Sequence, residues 1–191
     1  MALSGFIRRG RAARRDGSGT LALLVAAEPT LVQQLGLTPS RRAGVCITPV
    51  AAAAFTALLG ELEQVLATAG RTTGTSVSRT CDDFGFQWFV LEDDDSLTDL
   101  VDAVRLVEDA LVARGHRDQL LCAVFGAAAD GAPLHLVHTF RTGRFHPVAP
   151  LPGGDRDRGA EERLRAGLRG VLPLEGDDDR CFPVWGAPPV A

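Results

Sequence analysis

Residues 72–91, TTGTSVSRTCDDFGFQWFVL, decide the fold class of this chain. β-branched residues alternate with small polar ones up to Cys81, and an aromatic and aliphatic run begins at Phe86. The four residues between them, DDFG, have the composition of a tight turn. Two strand-like runs joined by such a turn predict an antiparallel β-hairpin.

Amphipathic helices are predicted on both sides of this hairpin. In residues 51–69 the apolar positions recur three and four apart, and Gly70 stands where a helix commonly ends. Residues 97–111 repeat the pattern behind Ser96, which forms a variant of the capping box with Asp99. The hairpin is therefore expected to lie against helices.

A second hairpin is predicted further along the chain, with strands at 119–128 and 133–141 around a turn at Asp130 and Gly131. Because the strands come as hairpins and do not alternate singly with helices, the sequence predicts an α+β fold: an antiparallel sheet built from hairpins and flanked by helices. The remaining predicted elements are a helix at 21–36, a turn at 37–40, a strand at 43–48 and a helix at 160–171.

The length and the charge of the chain limit how many domains it can form and which kinds of partner it can bind. With 191 residues, 46% of them apolar, the chain suits one ordinary domain, predicted at residues 20–191 with a Pro-rich tail at 180–191. Residues 1–19 are expected to form a flexible Arg-rich segment. A formal net charge of −4 gives no sign of nucleic-acid binding, and no apolar run reaches the roughly 18–20 residues that a membrane span needs.

Missing residue types exclude several catalytic schemes. The sequence contains no Lys, Asn or Tyr, which removes Lys nucleophiles, Schiff bases and P-loops. The four cysteines lie far apart and form no C-x-x-C pair, so we expect reduced thiols in a cytoplasmic protein, without a metal site or a cofactor. They are Cys46, Cys81, Cys122 and Cys181.

The histidines leave one enzymatic alternative open, a small metal-dependent hydrolase using His135, His138 or His146 with nearby carboxylates. His135 and His138 would share one side of a helix, but their segment is predicted to be a strand, where residues three apart point to opposite faces. No nucleophile motif and no H-E-x-x-H signature accompanies them. The favoured interpretation is that they are half-exposed strand residues and that the protein is not an enzyme.

The N-terminal segment is a candidate for peripheral contact with the inner face of the membrane. Phe6 and Ile7 precede Arg8, Arg9 and Arg11, and no acidic residue occurs among them. Apolar and basic residues in this arrangement favour an anionic lipid surface. A solvated N-terminus explains the same composition.

Two segments near the C-terminus combine aromatic residues with proline and show neither helix nor strand periodicity. Aromatic side chains bury a large area, and proline limits the entropy that is lost on docking. The segments are therefore predicted to bind a partner protein, although the tail can instead pack on its own domain. The candidate residues are Phe145, Pro147, Pro150, Phe182, Pro183 and Trp185.

The chain resembles the PspAB family, whose members are associated with PspA in phage-shock systems. The resemblance follows nearly the whole sequence in the same order, and its last segment is the most specific. One departure is His146, which stands where an aromatic residue is expected. The segments that carry the resemblance are 35–39 (LGLTP), 42–46 (RAGVC), 83–89 (DFGFQWF), 120–123 (LLCA), 143–150 (GRFHPVAP) and 182–188 (FPVWGAP).

This resemblance implies a non-catalytic accessory protein of the envelope-stress response, of an actinobacterial type. It implies PspA or another phage-shock component as the partner, with an HtpX-type membrane protease as a further candidate. The implied fold is similar to YbjN and to type III secretion chaperones. The resemblance implies no active-site residue.

Overall fold

Six strands form one antiparallel sheet in the computed structural model, which describes residues 17–185 and 187–188. The strands are β1 (Leu37–Ile47), β2 (Ser76–Cys81), β3 (Gln87–Glu92), β4 (Leu120–Ala129), β5 (Ala132–Thr139) and β6 (Arg144–Val148). They lie in the order β2-β3-β1-β4-β5-β6, and every neighbouring pair is antiparallel. Helices flank this sheet, so the predicted α+β fold is confirmed.

The described residues form four α-helices, and α1 begins within the predicted N-terminal segment 1–19. The helices are α1 (Gly17–Pro29), α2 (Ala53–Thr73), α3 (Leu97–Ala113) and α4 (Arg158–Leu168). Shorter elements are a π-helical turn (Thr30–Gln34), two 3-10 turns (Arg117–Gln119 and Asp178–Arg180) and a small hairpin of β7 (Pro150–Leu151) and β8 (Asp155–Arg156).

Strand alternation divides the buried side chains between the two faces of the sheet. Val45, Phe89 and Leu91 join the main core together with the apolar sides of the helices. The opposite surface, called the tail-covered face below, packs against Ala187 of the C-terminal tail. Its buried residues are Cys46, Trp88, Val90, Cys122, Val124, Val137 and Val148.

Helix α3 forms as its sequence predicts. The Asp99 backbone N–H donates to Ser96 Oγ at 3.0 Å, which satisfies one of the unpaired donors of the first turn. Every residue of the predicted apolar stripe is buried. The stripe consists of Leu97, Leu100, Val101, Val104, Val107 and Leu111.

The turn predicted at residues 37–40 is wrong, because these residues form the first half of β1. Pro39 is tolerated there since this half pairs with β4 alone; pairing with β3 begins only at Arg42. A bulge separates the two halves, and Arg41 adopts a positive φ of 60° within it.

The helix end predicted at Gly70 is also wrong. Helix α2 continues to Thr73 and ends at Gly74, whose φ is 92°. Gly70 lies inside the helix, where the chain returns so closely that an added Cβ would stand 1.9 Å from the Thr75 carbonyl oxygen. Gly70 therefore allows the Thr75 backbone to approach the helix closely, and it does not cap the helix.

Strand β6 has no counterpart among the predicted elements. It is an edge strand, a position that tolerates Pro147. Its outer side is covered: the Phe145 N–H donates to the Pro173 carbonyl at 2.9 Å, and the Glu175 N–H donates to the Phe145 carbonyl at 2.8 Å. The chain after α4 thus closes this edge of the sheet.

Candidate functional site

A groove of about 660 Å³ opens beside the tail-covered face. Strands β1 and β4 contribute buried thiols to it, the β2–β3 turn and the C-terminal tail contribute aromatic side chains, and charged residues follow β5 and α3. We call it the aromatic groove. The residues on which the argument depends are Cys46, Asp82, Phe84, Phe86, Trp88, Arg117, Cys122, Arg141, Phe182, Pro183 and Trp185.

Asp82 shapes the hairpin side of the aromatic groove. Its Oδ1 accepts hydrogen bonds from the backbone N–H groups of Phe84 at 3.0 Å and Phe86 at 2.9 Å. Its Oδ2 accepts one from Trp88 Nε1 at 2.8 Å. An Asp at the start of a turn commonly bonds the following backbone in this way. The same carboxylate thus fixes the turn and orients the indole.

The hairpin presents one aromatic residue to solvent. Phe84 at the tip of the turn is 74% exposed, whereas Trp88 is 1% exposed. Because Asp82 holds the turn, the exposed ring stands on a fixed backbone. Aromatic residues are enriched in protein–protein interfaces, so Phe84 beside the groove is a candidate contact residue.

The C-terminal tail packs on its own domain, and His146 holds it. The ring Nε2 lies 3.1 Å from the Phe182 carbonyl oxygen, and the two rings meet edge to face at a centroid distance of 5.3 Å. Burial lowers the pKa of His146, so the neutral ring donates through Nε2–H. Phe182 itself remains 39% exposed.

Two arginines fix the chain that leads to Phe182, one at Glu175 and the other at Cys181. Arg156 forms a buried, two-pronged ion pair with Glu161 (2.7 and 2.8 Å) and donates from Nη1 to the Cys181 carbonyl at 2.9 Å. Arg165 donates from Nη1 to the Glu175 carbonyl at 2.6 Å. The path of the tail is therefore set by charge-assisted hydrogen bonds to its backbone.

Two thiols meet beside the aromatic groove. Cys46 on β1 and Cys122 on β4 are direct partners in the strand register, and both are buried. Interaction with Cys46, toward which the protonated Cys122 thiol donates, together with burial, raises the pKa of Cys122. Both thiols are free cysteines.

The aromatic groove collects some of the residues that the sequence singled out and leaves others elsewhere. It includes Phe182, Pro183 and Trp185. Phe145 lies in the main core without exposed surface, so it does not line the groove. Pro147 is buried in β6, and Pro150 begins β7.

Sequence reasoning missed the hairpin side of the groove as a candidate surface. Phe84, Phe86 and Trp88 line it, and they belong to the same DDFGFQW segment that predicts the hairpin. Aromatic residues within a turn and directly after it are a signal for this role, because a turn places its neighbours at the end of a sheet.

The prediction of half-exposed histidines is wrong for His135 and His138, which are 6% and 0% exposed. Both faces of the sheet are covered, so strand residues of either face become buried. Burial lowers the pKa of His135 to about 4 and that of His138 to about 3. Both imidazoles are therefore neutral at pH 7.

The three strand histidines do not converge on one centre. His138 lies among core residues, 2.9 Å from Thr20 Oγ1 and against the rings of Phe140 and Phe145. His135 and His146 belong to the opposite face, where strand alternation places them. Within residues 17–185 and 187–188, no three His, Cys, Asp or Glu residues gather as a metal centre.

The proposed membrane-contact residues Phe6, Ile7, Arg8, Arg9 and Arg11 lie outside the described residues. Among the helices that the structure describes, none combines the length and the apolar character that crossing a bilayer requires.

Comparison with known proteins gives one family and no individual relative. The family model described as PspA associated protein B matches residues 2–189, which is nearly the whole chain. No curated protein matches, and no solved structure matches. The similarity to YbjN and to type III secretion chaperones therefore stays a prediction.

Proposed function

Because the chain belongs to the PspAB family, we propose that it is a non-catalytic accessory protein that binds PspA through the aromatic groove. The description of the family supports association with PspA. The observation that carries the proposed site is the pair of exposed aromatic residues, Phe84 on the hairpin and Phe182 on the tail, that line one groove. We place this function in the cytoplasm, in the envelope-stress response.

The exposed rings supply the energy for such a contact. Burying a whole aromatic side chain removes roughly 150–250 Å² from water, at about 25 cal/mol per Å². Phe84 has most of this surface still available, and Phe182 has a smaller part. A few aromatic residues of this kind commonly carry most of the binding energy of an interface.

The walls of the aromatic groove are held in place before a partner arrives. Three hydrogen bonds to Asp82 fix the hairpin, and the contacts of His146 and Arg156 fix the tail up to Phe182. Pro183 restricts the backbone that follows. Rigid walls lower the entropy that binding removes, which favours affinity.

The placement of the histidines supports a role without catalysis. The alternative hydrolase would use one of them together with nearby carboxylates, but His138 packs in the core, whereas His146 bonds the tail carbonyl. No observation favours the hydrolase over partner binding. An HtpX-type membrane protease is a second candidate partner, tested by a separate titration with that protease.

The test is a calorimetric titration of the full chain with purified PspA. We expect Phe84→Ala and Trp185→Ala each to weaken binding at least tenfold. Val65→Ala on α2, which also removes an exposed apolar side chain, is the control and should leave affinity unchanged. Phe84→Ala is the sharper variant because its side chain is largely in water and contributes little to stability.

The outcomes separate the partner from the site. Absence of binding by the wild-type chain would overturn PspA as the direct partner. Unchanged binding by folded Phe84→Ala and Trp185→Ala proteins would overturn the aromatic groove as the site.

A further inference from the structure

Two thiols face each other where the strand register joins distant parts of the chain. Cys46 on β1 and Cys122 on β4 are opposite one another, and their side chains point to the same tail-covered face. Directly opposed residues of antiparallel strands have Cα atoms about 4.5–5.5 Å apart. Their Cβ atoms are then about 4.5–5.5 Å apart, which brings the two sulfurs close together. The fold therefore holds Cys46 and Cys122 together as a pair of thiols.

Its geometry suits a single bridging ion. A metal–thiolate bond is about 2.3 Å long, so one ion contacts two sulfurs that are up to roughly 4.6 Å apart. Side chains of directly opposed strand residues, with Cβ atoms about 4.5–5.5 Å apart, can place their sulfurs within that range. Both cysteines line the aromatic groove, which gives a small ion access from solvent.

The number and softness of the ligands select the ion. Structural zinc takes four protein ligands, and no third His, Cys, Asp or Glu of the described residues joins this pair in a metal-binding group. Thiolates prefer soft ions, among them Cu(I). We propose that Cys46 and Cys122 form a two-coordinate binding site for Cu(I) beside the aromatic groove.

The binding step balances without any change of oxidation state. Each thiol releases its proton to solvent, and each sulfur donates one electron pair to the ion. Two thiolates and one monovalent cation leave one net negative charge. The groove that receives this charge is lined by Arg117 and Arg141 and by Asp82 and Asp118, so its own formal charges cancel.

The sequence does not reveal this site because it has no short spacing. The cysteines form no C-x-x-C pair, the spacing that indicates a metal site in a sequence. The register of β1 with β4 brings together two cysteines that are far apart along the chain. The thiol pair does not depend on PspA binding, since the β1–β4 register forms it within this chain.

The test is a Cu(I) titration of the reduced, full chain under anaerobic conditions, in competition with bicinchoninate. All proteins carry Cys81→Ser, which removes the exposed thiol. We expect one Cu(I) per chain. Adding Cys46→Ser or Cys122→Ser should weaken binding more than about 100-fold, because changes outside the ligand set already cost 10–100-fold. Adding Cys181→Ser, another buried thiol, is the matched control and should have no effect.

Two results would overturn the proposal. One is a Cys81→Ser protein that retains no Cu(I); the other is unchanged retention after loss of Cys46 or Cys122. X-ray absorption of the copper-loaded Cys81→Ser protein tests the coordination without further substitution. It should show two sulfur ligands, and three or more ligands, or a nitrogen ligand, would contradict the two-thiol site.

Discussion

The indole N–H of Trp88 donates to the Asp82 carboxylate at 2.8 Å, and this bond links the β2–β3 turn to the buried side of the aromatic groove. Trp88 is almost wholly buried, so its N–H has no water to replace that acceptor. The same carboxylate accepts two backbone N–H groups of the turn. The shape of the groove thus depends on one charged residue at its edge.

Replacing Asp82 should therefore destabilise the protein more than its position in a turn suggests. Asp82→Ala leaves the Trp88 N–H buried without a partner, which costs about 1–3 kcal/mol of the free energy of unfolding. Urea denaturation followed by tryptophan fluorescence measures this loss. Asp83→Ala, at the exposed neighbouring position, is the control and should stay within about 0.5 kcal/mol of wild type. Equal stability of the two variants would show that the indole bond contributes nothing.

The buried ion pair behind the tail should be expensive to break from one side. Arg156→Met leaves the buried Glu161 carboxyl without its ion-pair partner, and it removes the donor to the Cys181 carbonyl. We expect a loss of about 3–5 kcal/mol in the free energy of unfolding by urea denaturation.

A surface ion pair provides the comparison for this variant. Arg42 pairs with Glu92 at half-exposed positions, and Arg42→Met should cost less than about 1 kcal/mol. The double change Arg156→Met with Glu161→Leu should recover part of the loss, because no uncompensated charge stays buried. No recovery in the double variant would mean that the bond to the Cys181 carbonyl, and not the pair itself, dominates.

The elements that the sequence predicts are those whose signals are local. The Ser96 cap with the stripe of α3, and the DDFG turn, each depend on residues a few positions apart. The contacts that build the aromatic groove join residues that are far apart in the sequence. The pairing of Cys46 with Cys122 needs the β1–β4 register, and that of His146 with Phe182 needs the path of the tail. No short-range pattern contains either.

Tertiary contacts also explain why two local rules failed. Pro39 and Gly70 are common signs of a turn and of a helix end. Pro39 instead lies in a stretch of β1 that pairs on one side only, and Gly70 admits the Thr75 backbone into contact with α2. In both cases the residue accommodates a neighbouring segment and does not end the element in which it lies.

The buried histidines should make the protein sensitive to mild acid. His135 and His138 have pKa values of about 4 and about 3 in the folded chain, whereas an unfolded histidine has about 6.5. Between these values the unfolded chain binds more protons, so the free energy of unfolding falls as the pH falls below about 6.5. Each histidine contributes up to about 1.4 kcal/mol per pH unit.

Urea denaturation at pH 7, 6 and 5 measures this effect. Wild type should lose stability between pH 6 and pH 5, and His138→Phe should lose less, because a residue that does not titrate replaces the most depressed histidine. A stability that stays constant from pH 7 to pH 5 would contradict the neutral, buried state of both rings.

Two glycines of α2 should respond to alanine in opposite directions. At Gly60 an added Cβ meets no atom within 4 Å, so Gly60→Ala should stabilise the helix by about 0.5–1 kcal/mol through its lower backbone entropy. At Gly70 the same methyl group would stand 1.9 Å from the Thr75 carbonyl oxygen, which must move. Gly70→Ala should therefore lower the melting temperature although alanine is the better helix former. If both variants melted above wild type, the close approach of Thr75 to α2 would be refuted.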